Sequence, residues 1–172
     1  MTHRRTFLWF WVGGLVLFGI VIALGMPLVL TEVPGGILDH QAAGTAAEVD
    51  RIQAAWRSAG LWNQAAIAMA GDLVFIGVYG VGCVLGGRYF RREASGWHRH
   101  CGSAALIAGI AFLATDYAET ISQFIQLMSF EGDDDLAGLA ATVRPIKVAS
   151  WIIATLAILA ALLGEWRQRR SA

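Results

Sequence analysis

Charge is what this 172-residue chain has least of: 15% of its residues are Asp, Glu, Lys or Arg, against roughly 25% in an ordinary soluble domain. Thirteen acids and thirteen Lys and Arg cancel, so no net positive field points to nucleic acid as a partner. Two cysteines are too few for a disulfide scaffold. The scarcity of polar residues excludes intrinsic disorder, which needs low hydrophobicity. Apolar residues take their place. They make up 56% of the chain, or about 66% with glycine counted in and tyrosine out, well above the ~45–50% of globular domains.

The missing charges are missing in blocks. Residues 6–31 and 148–164 carry none, Asp72 stands alone between Arg57 and Arg88, and only Asp116 and Glu119 lie between Arg99 and Glu131. A helix crosses ~30 Å of hydrocarbon with about 20 apolar residues. Four segments meet that length, at about 7–30, 63–87, 103–128 and 143–164. The expected fold is all-α, a four-transmembrane-helix bundle forming a single integral membrane domain over residues 1–172. Barrel strands, at ~10 residues with strict alternation, do not match. The first apolar run, Phe7 to Leu30, exceeds the ~7–15 residues of a signal-peptide core, so it reads as a retained span.

Lys and Arg placement sets the expected orientation. Nine of the thirteen, namely Arg4, Arg5, Arg88, Arg91, Arg92, Arg99, Arg167, Arg169 and Arg170, fall on one side. That side reads as cytoplasmic, with both termini there. The outer loop between spans 1 and 2 is the longest soluble part. It opens on the turn signal Val33-Pro34-Gly35-Gly36, then reads as helical from Asp39 to Gly60, with Thr45 as a cap and Glu48 three residues on. Val49, Ile52 and Trp56 share a face, which suits either a helix lying on the outer leaflet or a connector packed on the bundle.

Apart from Arg144 at the edge of the fourth span, four charges remain inside the spans: Asp72, Asp116, Glu119 and Lys147. Each costs about 2.5–3.5 kcal/mol at a helix centre on insertion scales, so each is expected to face the bundle or a partner. A hairpin centred near residue 95 puts position 118 level with Asp72, within two residues of both Asp116 and Glu119. A turn near residue 134 puts position 121 level with Lys147, two residues from Glu119. The four are therefore expected at one depth. Asp116, Glu119, Thr120 and Gln123 form a single polar stripe on span 3. Asp72 and Tyr79 are seven apart on span 2, and Lys147, Trp151 and Thr155 share a face of span 4. Three acids against one lysine leave excess negative charge, so either Arg144, nearer the surface, snorkels in or at least one carboxyl is expected to be protonated. Asp116 or Glu119 is the candidate proton-exchanging acid, Lys147 its counter-ion, and Tyr79 a hydrogen-bond donor.

Other signals fail. His3, His40, His98 and His100 all lie outside the spans, so paired haem ligands are missing. Asp116-x-x-Glu119 has no accompanying His, unlike a di-iron bundle site. Cys83 and Cys101 form no Cys-x-x-Cys. No metal or other cofactor is called for, and no catalytic residue is assigned. Glu131-Gly132-Asp133-Asp134-Asp135 lacks the alternation of a calcium loop and reads as a solvated loop capping span 4.

Asp72-Leu73-Val74-Phe75 with Tyr79, then Asp116-Tyr117-Ala118-Glu119-Thr120, then a Lys in span 4, resembles an uncharacterised family of small four-helix bacterial membrane proteins. In that family the second motif usually reads Asp-x-x-Glu-Asn, and the outer loop opens on a Leu-Asp segment like Leu38-Asp39-His40-Gln41. Here Thr120 replaces the usual Asn, which keeps one donor and loses the amide carbonyl. The resemblance implies the fold and the intramembrane acids but no reaction. A looser likeness, at the level of fold, is to four-helix sterol-isomerase and sigma-2-type proteins.

Three roles stay open. One is a membrane protein handling a small ligand, ion or proton at a buried carboxylate–lysine site. The second is a membrane-embedded, isomerase-like enzyme acting on a lipid. The third is a structural or accessory subunit whose polar core sets helix packing. Membrane lipids and a small-molecule or lipid ligand are the expected partners, and spacing such as Gly82–Gly86 permits a homo-oligomer.

Overall fold

A computed structural model describes residues 2–93 and 96–171. Every regular element among them is a helix: α1 (Thr2–Gly25), α2 (Ile37–Ala42), α3 (Ala46–Ser58), α4 (Trp62–Glu93), α5 (Trp97–Ser129) and α6 (Asp134–Ser171). Four of these, α1, α4, α5 and α6, are long and apolar enough to cross a membrane. Large apolar side chains point out of the protein along them. Val16 is 59% exposed, Ile107 69% and Leu156 60%, which a lipid solvent accommodates and water does not.

The span helices outrun their expected limits. The polar ends of α4, α5 and α6 stay helical because a helix satisfies its own backbone and needs hydrocarbon only around its middle. The largest difference is in α6, which begins at Asp134 and runs through Pro145, whereas hydropathy starts it near 143. Asp133 Oδ1 accepts from Leu136 N at 2.9 Å and caps this earlier start. α1 instead stops short, at Gly25. Pro27 has no N–H to continue the ladder, and the chain tightens into a 3-10 turn, Met26–Leu28. Gln64 Nε2 then donates to the Leu24 carbonyl at 2.6 Å, serving an acceptor at the helix end. The turn expected near residue 95 lies outside the described residues.

The helices divide between two compact units. Unit 1 comprises Met1–Leu15, Gly77–Ala114 and Ile146–Ala172. Its helices approach through glycine. A Cβ added at Gly82 would lie 2.6 Å from Trp11 N, and one at Gly87 would lie 2.5 Å from Leu106 N, so backbones touch where side chains would otherwise hold helices apart. Phe7 stacks on Tyr89 at 5.6 Å and meets Phe90 edge-on at 5.8 Å. At the Arg-rich end, Glu165 takes Arg169 Nη2 at 2.6 Å, Arg4 Nε at 3.2 Å and Tyr89 Oη at 3.3 Å. Cys83 and Cys101 are both free thiols.

Unit 2 comprises Val16–Ile76 and Thr115–Pro145. Its core is built around Trp56, fully buried with Leu28, Val49, Ile52, Met69 and Leu127. The indole Nε1 donates to Leu28 O at 2.9 Å. Thr45 caps α3 by accepting from Glu48 N at 3.3 Å. The Glu48 carboxylate pairs with Arg51, 2.6 Å from Nη2. Gly60, at φ 70°, closes α3 with Gly60 N to Arg57 O at 3.0 Å and Leu61 N to Trp56 O at 2.8 Å, a Schellman ending. The apolar face of α3 is therefore spent on protein. This overturns the leaflet-lying reading of α3 and supports the packed connector.

The acidic segment 131–135 is likewise fastened. Asp50 Oδ1 accepts from Gly132 N at 2.7 Å, Asp134 Oδ1 from Ala46 N at 2.7 Å, and Gln126 Oε1 from Asp133 N at 3.0 Å. It caps α6 as expected, and it also ties α3 to the end of α5.

Candidate functional site

The site lies in unit 2, where α4 and α5 both carry acids. The stripe read from the sequence is buried: Asp116 is 3% exposed, Glu119 0%, Thr120 1% and Gln123 2%. The 3.6-residue period of α5 puts all four on one face. Asp72, half-buried, reaches the stripe from α4.

Thr120 sits between the two aspartates. Its hydroxyl donates to Asp72 Oδ2 at 3.2 Å across the helix pair, and Asp116 Oδ1 lies 3.5 Å away, one turn back on α5. A hydroxyl has one proton and two lone pairs. It can donate to only one carboxylate at a time, and it can accept from the other when that group is protonated. The Thr120 hydroxyl thus links two carboxyl groups that start from different helices. Close by, Tyr117 Oη donates to Leu73 O at 3.2 Å, a second α5-to-α4 tie that sequence reasoning did not single out.

The remaining sequence candidates fall in unit 1. Tyr79 is fully buried, its hydroxyl 2.6 Å from Thr155 Oγ1 and its ring edge-on to Phe112 at 5.2 Å. Thr155 in turn donates to Trp151 O at 2.7 Å. Lys147 is half-buried on α6, two residues past Pro145.

Sequence reasoning missed a further polar group of unit 2. His40 and Gln53 are both 0% exposed. Gln53 Nε2 and His40 Nε2 are 3.4 Å apart, and the imidazole leans on Trp56 with 5.2 Å between ring centroids. Gln123 Nε2 donates to the His40 carbonyl at 3.5 Å, which joins this pair to the stripe of α5. Burial pushes the His40 imidazole down from 6.5 to about 4, so it is neutral at ordinary pH. One signal was available. Gln53 lies four residues after Val49 and next to Ile52, on the apolar face of α3.

No family model, no curated protein and no solved structure matches the chain.

Proposed function

We propose that this is a multi-pass protein of the bacterial inner membrane, with cytoplasmic termini, that handles a proton, an ion or a small polar ligand at the carboxyl groups of Asp72, Asp116 and Glu119. The observation that carries the reading is the Thr120 hydroxyl, 3.2 Å from Asp72 and 3.5 Å from Asp116, within two helices of membrane-span length. Acids held in such surroundings are expensive and mark ion or proton sites. A proton on Asp116 can pass to the Thr120 oxygen while the hydroxyl proton moves to Asp72. The charge then shifts between α4 and α5 once the 3.2 Å and 3.5 Å contacts close to ordinary hydrogen-bond length. The depth count made on the sequence supports Lys147 as counter-charge, while a donor role for Tyr79 rests on helical spacing alone.

A second reading draws on the same bonds. Thr120 to Asp72 and Tyr117 to Leu73 join α5 to α4, so the polar group also serves packing. Infrared spectroscopy of the reconstituted protein separates the two. The proton-handling reading expects a carboxylic acid C=O band that titrates between about pH 4 and pH 9 and changes in Asp116→Asn or Asp72→Asn. Its absence over that range, with both variants less stable than the parent, leaves packing as the role.

A further inference from the structure

Two fully buried polar atoms of unit 2, His40 Nδ1 and Gln53 Oε1, have no hydrogen-bond partner among the described residues. Both side chains are 0% exposed, and they belong to one contact, the 3.4 Å approach of Gln53 Nε2 to His40 Nε2. A bond forms across this contact when an amide N–H faces an unprotonated Nε2 or when Nε2–H faces the amide oxygen. In either case the bond uses one donor and one acceptor, and at least one of each stays unsatisfied. Buried groups of that kind call for a guest that both donates and accepts. Water has that chemistry.

The pair also stands at one end of a continuous polar face. Gln123 Nε2 donates to His40 O at 3.5 Å. One turn along α5 come Glu119 and Thr120, and Thr120 reaches Asp72 and Asp116. Asp116, Glu119, Thr120, Gln123 and Gln126, all 3% exposed or less, follow one another on that face. Beyond it Glu131, Asp133, Asp134 and Asp135 are exposed and draw cations toward this end of the unit.

We propose that the α5 face is a hydrated access path, in which water held by His40, Gln53 and Gln123 carries protons between the aqueous phase at the α2–α3 end and the carboxyl groups of Asp116 and Asp72. The inference rests on the proton-handling reading of those acids and adds the cargo and the side of entry. Amides do not ionise, so they hold and orient the water while the water moves the proton. A hydronium ion gives its proton to the first water, each water passes one on, and a carboxylate lone pair forms the last O–H bond. The hydronium becomes water and the carboxylate becomes a neutral acid, so charge and atoms balance without a further reactant. His40 suits its position. Burial keeps its imidazole neutral down to about pH 4, so no fixed positive charge opposes the proton.

The test is the rate at which the carboxylic acid band shifts after transfer of the full chain, in lipid nanodiscs, from H2O to D2O. Gln123→Leu and Gln53→Leu are each expected to retain the band and slow its shift by about tenfold or more, as loss of one hydrogen-bonding stop on the path would do. A shift at the parent rate in both folded variants overturns the path and leaves the acid site standing. If Gln123→Leu does not fold, Gln53→Leu decides by the same criterion. A parent protein with no exchanging carboxyl refutes the proton-handling reading itself.

Discussion

Replacing Thr120 by Val removes one hydroxyl and little else, since the two side chains have nearly the same shape. The hydroxyl donates to Asp72 Oδ2 at 3.2 Å and lies 3.5 Å from Asp116 Oδ1. A hydrogen bond to a charged group contributes about 1.5–3 kcal/mol in soluble proteins, while side-chain bonds between membrane helices average ~0.6 and reach ~1.7 kcal/mol. Asp72 is only half-buried, so water recovers part of the loss. The expected cost is therefore about 1–2 kcal/mol. At ~2–4 °C per kcal/mol for a chain of this size, the unfolding midpoint in detergent falls by roughly 2–8 °C. Asp72→Asn and the double variant complete a cycle whose coupling isolates the pair. A coupling near 1 kcal/mol is expected. A coupling within error of zero, or a Thr120→Val protein as stable as the parent, refutes the bridging hydroxyl.

His40 gives a pH prediction. Its imidazole falls from 6.5 to about 4 on burial, so between those values the unfolded chain binds a proton that the folded one does not. Stability is whole above the unfolded value and is lost as pH falls toward about 4, by up to about 3 kcal/mol. His40→Phe should flatten that part of the curve in a denaturation series across the window, and parallel curves for the two proteins would contradict it. Gly82→Ala puts a Cβ 2.6 Å from Trp11 N and should destabilise by about 1–3 kcal/mol. Gly138→Ala meets nothing within 4 Å and should stabilise α6 by up to ~1 kcal/mol; the opposite ranking in a melting assay would overturn the close-packed glycine contact. The proposed orientation expects alkaline phosphatase fused after residue 172 to be inactive, and an active fusion reverses the topology.

The four membrane-length helices were legible in the sequence because transfer free energy accumulates over some twenty adjacent residues and needs no knowledge of the neighbours. Thr45 and Gly60 were legible as the ends of α3 for a similar reason, since their partners lie within five residues of them. The polar stripe from Asp116 to Gln123 followed from helical period alone. The sequence by itself thus determined which segments are apolar helices, where α3 is capped and closed, and which face of α5 is polar.

Tertiary structure decided what meets that face. Thr120 and Asp72 are 48 residues apart, Gln123 and His40 83, and Ala46 and Asp134 88. Which side chains meet across such separations depends on the rotation of each helix about its axis, which hydropathy leaves free in lipid. The same freedom hid His40. The sequence placed it only outside the spans, in the helical connector, and the packing of α2 and α3 in unit 2 took its imidazole out of water and made it part of the polar group beside the acids.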